Sequence, residues 1–160
     1  MHGRVADPEH GEEAFFGVAR AMWRARLDAP AEGAQWTGIT TALAAELLRA
    51  GTVDAVLAVA PHPDDRWKPL PVIVTDPDEM ARCRGMRMGY APTLALLEPA
   101  RAAGHRRIAM VGIPCQVYAL RALEDELGFD RIYVIGTPCS DNTTTENFHG
   151  FLSRLDDRPE

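Results

Sequence analysis

The sequence predicts an α/β fold: a mainly parallel sheet covered by helices, one domain over residues 1–160, with a cysteine pair at the carboxyl edge of adjacent strands. The first observation behind this is an internal echo. Arg107-Ile-Ala-Met-Val-Gly-Ile-Pro-Cys115 returns 24 residues later as Arg131-Ile-Tyr-Val-Ile-Gly-Thr-Pro-Cys139. Each copy is a short Val/Ile-rich run closed by Gly-x-Pro-Cys, which reads as a strand, a tight turn and a helix start. The second is the helical pattern over about Gln116–Leu127 between the copies. A strand–helix–strand unit of this length makes its strands parallel and adjacent, about 4.8 Å apart. The third is the alternation of helical and strand patterns along the chain, the signature of a sheet covered by helices.

The elements follow in order. Residues 1–14 are polar and aperiodic, an entry segment. Phe15–Leu27 predicts a helix, with Phe15, Val18, Ala19, Met22 and Trp23 on one stripe. The next helix opens within Ala34–Thr41 and runs to Ala50, burying Ile39, Leu43, Leu47 and Leu48; Gly51 suits its left-handed cap. Its start is dense in hydroxyls around Gly38. Free N–H groups there suit a phosphate, although N-capping by Thr37 or Thr40 is the plainer reading.

Val53–Ala60 predicts a buried strand, Pro61–Pro69 a polar loop, and Leu70–Val74 a strand that Pro71 places near an edge. Asp76 with Pro77 and Glu79 marks a helix start, and that helix ends near Gly85. Met86–Pro92 is a loop whose Arg87, Gly89 and Tyr90 suit either a plain surface turn or a planar or anionic ligand. Thr93–Ala103 predicts a helix stopped by Gly104, and Ser140–Thr145 caps a final helix to about Leu155.

Composition narrows the function classes. A net charge of −6 argues against a nucleic-acid binder, which needs a basic face. The N-terminus has no apolar stretch of signal-peptide type, and the best apolar run, Val53–Ala60, is too short to span a bilayer. The expected location is the cytoplasm, where cysteines serve as core residues, ligands or catalysts. Three cysteines cannot close a disulfide framework. Cys115 and Cys139 then have three open readings: buried structural thiols, a redox dithiol, or ligands to an iron–sulfur cluster. Cys83, between Arg82 and Arg84, reads as structural.

Three stretches carry a resemblance: Glu32-Gly-Ala-Gln-Trp-Thr-Gly-Ile39, Gly112-Ile-Pro-Cys-Gln-Val-Tyr-Ala-Leu-Arg121 and Ile135-Gly-Thr-Pro-Cys-Ser-Asp-Asn142. They resemble the beta-subunit family of the deazaflavin-coenzyme-reducing hydrogenases and dehydrogenases. The likeness is greatest to its chlorophyll-pathway branch, which holds the ferredoxin-dependent divinyl (proto)chlorophyllide 8-vinyl reductase and 7-hydroxymethyl chlorophyll a reductase. The resemblance implies FAD, a 4Fe–4S cluster, ferredoxin as electron donor and a tetrapyrrole substrate, its 8-vinyl group being reduced in (bacterio)chlorophyll biosynthesis. By motif match Gln35, Trp36, Thr37, Gly38, Thr40 and Thr41 line the flavin, with Gly89 and Tyr90 in the same pocket. Cys115 and Cys139 are the implied cluster ligands, and Gln116, Asp141 and Asn142 their neighbours. No proton donor is implied. Members of the family carry further cysteine motifs before and after the matched region, so the remaining cluster ligands are expected outside this chain. The alternatives are a beta subunit passing electrons to a deazaflavin coenzyme, or a truncated domain that only binds a partner.

Overall fold

The computed structural model describes residues 18–19, 21–30, 32–34 and 37–156, and among these the first regular element is helix α1 (Ile39–Arg49). It ends on Gly51 in the left-handed region, φ +63°, as expected. Strands β1 (Ala55–His62) and β2 (Asp65–Val74) follow as an antiparallel hairpin. A 3-10 helix (Pro77–Cys83), a second 3-10 turn (Thr93–Leu96) and helix α2 (Leu97–Ala102) lead to β3 (Arg107–Gly112). Helix α3 (Pro114–Leu123) and a 3-10 turn (Glu124–Glu126) then precede β4 (Arg131–Gly136) and helix α4 (Thr145–Leu152).

The four strands form one sheet in the order β2-β1-β3-β4, and only the β1–β2 pair is antiparallel. β3 and β4 pair residue for residue along the echo, from Arg107 opposite Arg131 to Gly112 opposite Gly136. Pro71 sits on the edge strand β2, where a missing N–H can be tolerated.

Both faces of the sheet are covered, which explains why β1 and β3 are apolar throughout instead of alternating. Val56, Ala58 and Ala109 pack on one face with Ala44 and Leu48 of α1 and Met80 of the first 3-10 helix. Ala55, Leu57, Ile108 and Met110 pack on the other with Leu97 and Ala100 of α2, Leu120 of α3 and Ile132.

Three expectations are corrected. Among the described residues of Phe15–Leu27, residues 21–27 carry no helix. Met22 and Trp23 are 61% and 88% exposed, so the apolar stripe has no surface to pack on, and packing supplies most of a short helix's stability. Most of Pro61–Pro69 is strand, because pairing with β1 overrides the local polar composition. Asp65 takes over the turn, its Oδ1 accepting from the N–H of Trp67 and of Lys68. In α1 the buried residues are Ala44 and Leu48, while Leu43 is 51% exposed.

Other local signals hold. Asp76 Oδ1 accepts from Asp78 N–H at 2.9 Å, a side-chain cap, although the helix it opens is 3-10. Thr144 Oγ1 accepts from Asn147 N–H at 3.2 Å and starts α4. Among the described residues no helix is long and apolar enough to cross a membrane.

Candidate functional site

A cleft of about 470 Å³ opens where β3 and β4 end, the edge at which open α/β sheets hold ligands. Its size is ordinary for a small-molecule site. Ala58, Val59 and Val111 give it an apolar floor, and its walls come from the start of α1, the loop after Cys83, the β3–α3 turn and the segment after β4.

The first wall is the amino end of α1. Gly38 is the residue before the helix, with φ +70°, and no side chain caps it. Capping by Thr37 or Thr40, the plainer reading of the sequence, is therefore not what the structure shows. The helix's first backbone bond is Ala42 N–H to Gly38 O, at 3.2 Å. Among the described residues, the N–H groups of Ile39, Thr40 and Thr41 have no acceptor. They front the cleft beside the Thr37, Thr40 and Thr41 side chains. Unfilled donors at the positive end of a helix attract an anionic or carbonyl oxygen. A Cβ on Gly38 would come within 3.2 Å of the Leu27 and Pro30 side chains, so space there is tight as well as the backbone left-handed.

The second wall is the loop from Gly85 to Ala91. Gly89 is buried at φ +150°, and a Cβ there would meet Thr145 Oγ1 at 2.6 Å and Pro69 Cδ at 3.0 Å. Arg87 lines the cleft, and burial pulls its guanidinium below the ordinary arginine value, although it stays charged at neutral pH. Cys83 also faces the cleft. Burial pushes its thiol up, against the opposing pull of the Arg82 and Arg87 charges, so it is a thiol rather than a reactive thiolate.

The remaining wall comes from the second half of the chain: Gly112, Gln116, Thr137, Cys139, Asp141 and Asn142. Thr137 N–H and Oγ1 both donate to Gly112 O, at 2.9 and 3.3 Å, which ties the ends of β3 and β4 together.

Nine of the residues proposed from sequence thus share one cleft: Thr37, Gly38, Thr40, Thr41 and Gly89, with Gln116, Cys139, Asp141 and Asn142. Tyr90 does not line it and is 65% exposed. Gln35 and Trp36 lie outside the described residues. Arg87, which the sequence offered either as part of a surface turn or as facing a planar or anionic ligand, lines the cleft.

The expected cysteine pair is not supported. The strands are adjacent as predicted, but the two turns diverge. Cys115 lies in the first turn of α3, exposed and away from the cleft lining. Cys139 lies in an irregular segment, its thiol donating to Asp141 O at 3.3 Å, and no helix starts until Thr145. The divergence has a local cause. Gln116 Oε1 accepts from Ile113 N–H at 3.2 Å and closes a helix start around the first cysteine, whereas Ser140–Asn142 after the second favour turns. Both thiols are free, and among the described residues no three His, Cys, Asp or Glu side chains gather as a metal site.

Residues 22–98 match the family described as coenzyme F420 hydrogenase/dehydrogenase, beta subunit N-terminus, and residues 105–160 match the corresponding C-terminal family. The chain is 43% identical over its whole length to the chloroplastic 7-hydroxymethyl chlorophyll a reductase of Oryza sativa subsp. japonica, of which it spans 34%. It is 34% identical to the coenzyme F420 hydrogenase subunit beta of Methanosarcina barkeri, over 73% of this chain and 39% of that one. A chain of the F420-reducing [NiFe] hydrogenase complex from Methanosarcina barkeri has the same fold, with a TM-score of 0.72 and 24% identity. The likeness covers 79% of this chain and 46% of that one. The chain thus spans between about a third and a half of these three proteins. Its two halves meet at the cleft, and by both family matches it belongs to the coenzyme F420 hydrogenase/dehydrogenase beta-subunit family.

Proposed function

We propose that this chain is the flavin-holding core of a reductase acting on a chlorophyll-type tetrapyrrole, with ferredoxin as the electron source. The observation that carries the reading is the convergence of Thr37–Thr41, Gly89, Gln116 and Asp141–Asn142 on one cleft with unfilled donors. The residues present fit FAD. The free N–H groups of α1 with Thr40 and Thr41 suit its polar oxygens, and the Ala58, Val59 and Val111 floor suits its apolar ring surface. When bound, the flavin collects electrons delivered singly and releases them in pairs. The chain's own part is to hold and orient it, and to keep water off the apolar floor.

A 4Fe–4S cluster fits this chain poorly. It commonly takes four thiolates, and the three cysteines are dispersed between a half-buried helix end, the start of α3 and a loop. Cys115 and Cys139 would contribute at most part of a ligand set, and no step is derived through a cluster.

The 43% likeness to a 7-hydroxymethyl chlorophyll a reductase supports a chlorophyll-type substrate, and the group we name is the 8-vinyl substituent of a divinyl chlorophyllide or protochlorophyllide. The likeness to the Methanosarcina barkeri beta subunit favours a second reading, electron passage to a deazaflavin coenzyme. The test begins with the purified chain titrated with FAD. Thr41→Ala should weaken binding about 10-fold, the value of one hydrogen bond to a polar ligand group. A chain that takes up no FAD, or a variant that binds it as well as the wild type, would sink the flavin reading. Supplying divinyl protochlorophyllide or oxidised deazaflavin to the assembled enzyme then separates the two substrates.

A further inference from the structure

The loop from Gly85 to Ala91 has no strand or helix to hold it, so its carbonyls depend on other parts of the chain. Three side chains from the second half reach across to them. Gln116 Nε2 donates to Ala91 O at 2.8 Å, Asn142 Nδ2 to Gly89 O at 3.4 Å and Thr145 Oγ1 to Met88 O at 3.4 Å. The partners are 25, 53 and 57 residues apart, so the loop's shape is set by tertiary contacts. Gln116 has little left for a ligand. Its Nε2 also approaches Thr93 Oγ1 at 3.4 Å, and its Oε1 accepts from Ile113 N–H. Asn142 Oδ1 is likewise taken by Thr143 N–H, at 2.9 Å.

What the loop carries is Arg87. Its Nη1 donates to Met86 O at 2.7 Å and its Nη2 to Arg84 O at 3.1 Å, while its Nε is buried without an acceptor. Buried arginine donors are normally matched, so an orphaned one in a cleft wall calls for a partner. Arg66 and Arg84 are close enough to add like-charge repulsion. No carboxylate pairs with Arg87 among the described residues, and Asp141 is the only acidic side chain described in the cleft lining.

We propose that Arg87 is the anion-recognising residue of the cleft, taking a phosphate group of its ligand, and that Gln116, Asn142 and Thr145 are positioning residues that hold it there. The phosphate is assigned to a flavin nucleotide on the strength of the reading above; the anion site itself stands on the loop geometry. A guanidinium suits it because its planar donors match an oxyanion at two points, which a lysine cannot reproduce.

The test uses the full chain and four probes: riboflavin, FMN, FAD and inorganic pyrophosphate, measured by calorimetry with a melting curve for each variant. Arg87→Gln should lower affinity for FMN, FAD and pyrophosphate about 10- to 100-fold and leave riboflavin within about twofold. Arg87→Lys should recover part of the loss. Gln116→Ala should weaken the same three probes, and the double variant should be no worse than Arg87→Gln alone, because the two residues act on one contact. Equal losses for riboflavin and FMN, or strictly additive losses in the double variant, would overturn the proposal. If the wild type binds pyrophosphate through Arg87 but no flavin, the flavin reading fails and the anion site stands. If it binds flavins and Arg87→Gln is indifferent to the phosphate, the anion site fails alone. Binding of none of the four probes overturns both.

Discussion

Asp54 interrupts the apolar run that becomes β1, and the structure shows why a carboxylate belongs there. It stands at the amino edge of the sheet, opposite the cleft. Its Oδ2 accepts from the N–H groups of Arg106 and Arg107, at 2.9 and 2.8 Å, and its Oδ1 from Arg107 Nη2 at 2.6 Å. Those backbone bonds, led by Arg107, hold the carboxyl at about 2 against an ordinary value of 3.8. Because the folded value is depressed, the stabilisation is complete above the ordinary value and is lost as pH falls through about 2. Asp54→Asn should therefore cost about 1.5–3 kcal/mol at neutral pH, the range for hydrogen bonds to a charged group. The gap between variant and wild type should close as pH drops from about 4 towards 2 in denaturant titrations. A gap that stays constant over that range would mean the charge contributes nothing. At this scale the sequence spoke unevenly. The Asp76 cap was legible because cap, proline and acid lie within four residues. Asp54 was not, because its partners lie more than 50 residues away.

Among the elements, α4 depends most on contacts outside itself, since none of its residues is fully buried. It is held to β2 by His149 Nε2 against Asp65 Oδ2 at 2.8 Å and by Phe148 edge-on to Trp67, ring centroids 5.1 Å apart. The His149 bond is the main reason the Asp65 carboxyl lies below its ordinary value. Phe148→Ala should cost about 1–2 kcal/mol, less than a fully buried Phe because the ring is only half-buried. It should also raise hydrogen exchange in α4 while leaving β1 and β3 protected. Equal acceleration throughout the sheet would show that α4 is no separate unit. The helix itself was readable from its Thr and Asn cap. Its seat was not, because the strand it packs on came from a stretch that composition assigned to a loop.

For the whole molecule, the two family matches meet inside the sheet: β1 belongs to the first and β3 to the second, and the two strands pair in parallel. The cleft and its clamped loop exist only when both halves are folded together. The dispersed cysteines belong to the same scale. Reconstituted anaerobically with iron and sulfide, this chain should hold fewer than four irons, because an incomplete thiolate set leaves iron open to solvent. Four irons per chain with the visible absorption of a cubane would refute that.

The sequence alone determined the alternation of elements, the parallel β3–β4 pair with its 24-residue register, and most helix stops, because each rests on local periodicity or on one glycine. It also marked the residues that gather at the cleft, through motifs of a few consecutive positions. Only the tertiary structure decided that β2 runs back to Asp65, that residues 21–27 stay irregular and that Cys115 opens a helix while Cys139 lies in an irregular segment. The same holds for Arg87, whose Nε is left unmatched by a loop shaped from Gln116, Asn142 and Thr145. Each of these turns on whether a segment finds a distant partner for its apolar surface or its hydrogen bonds, and no local pattern encodes that.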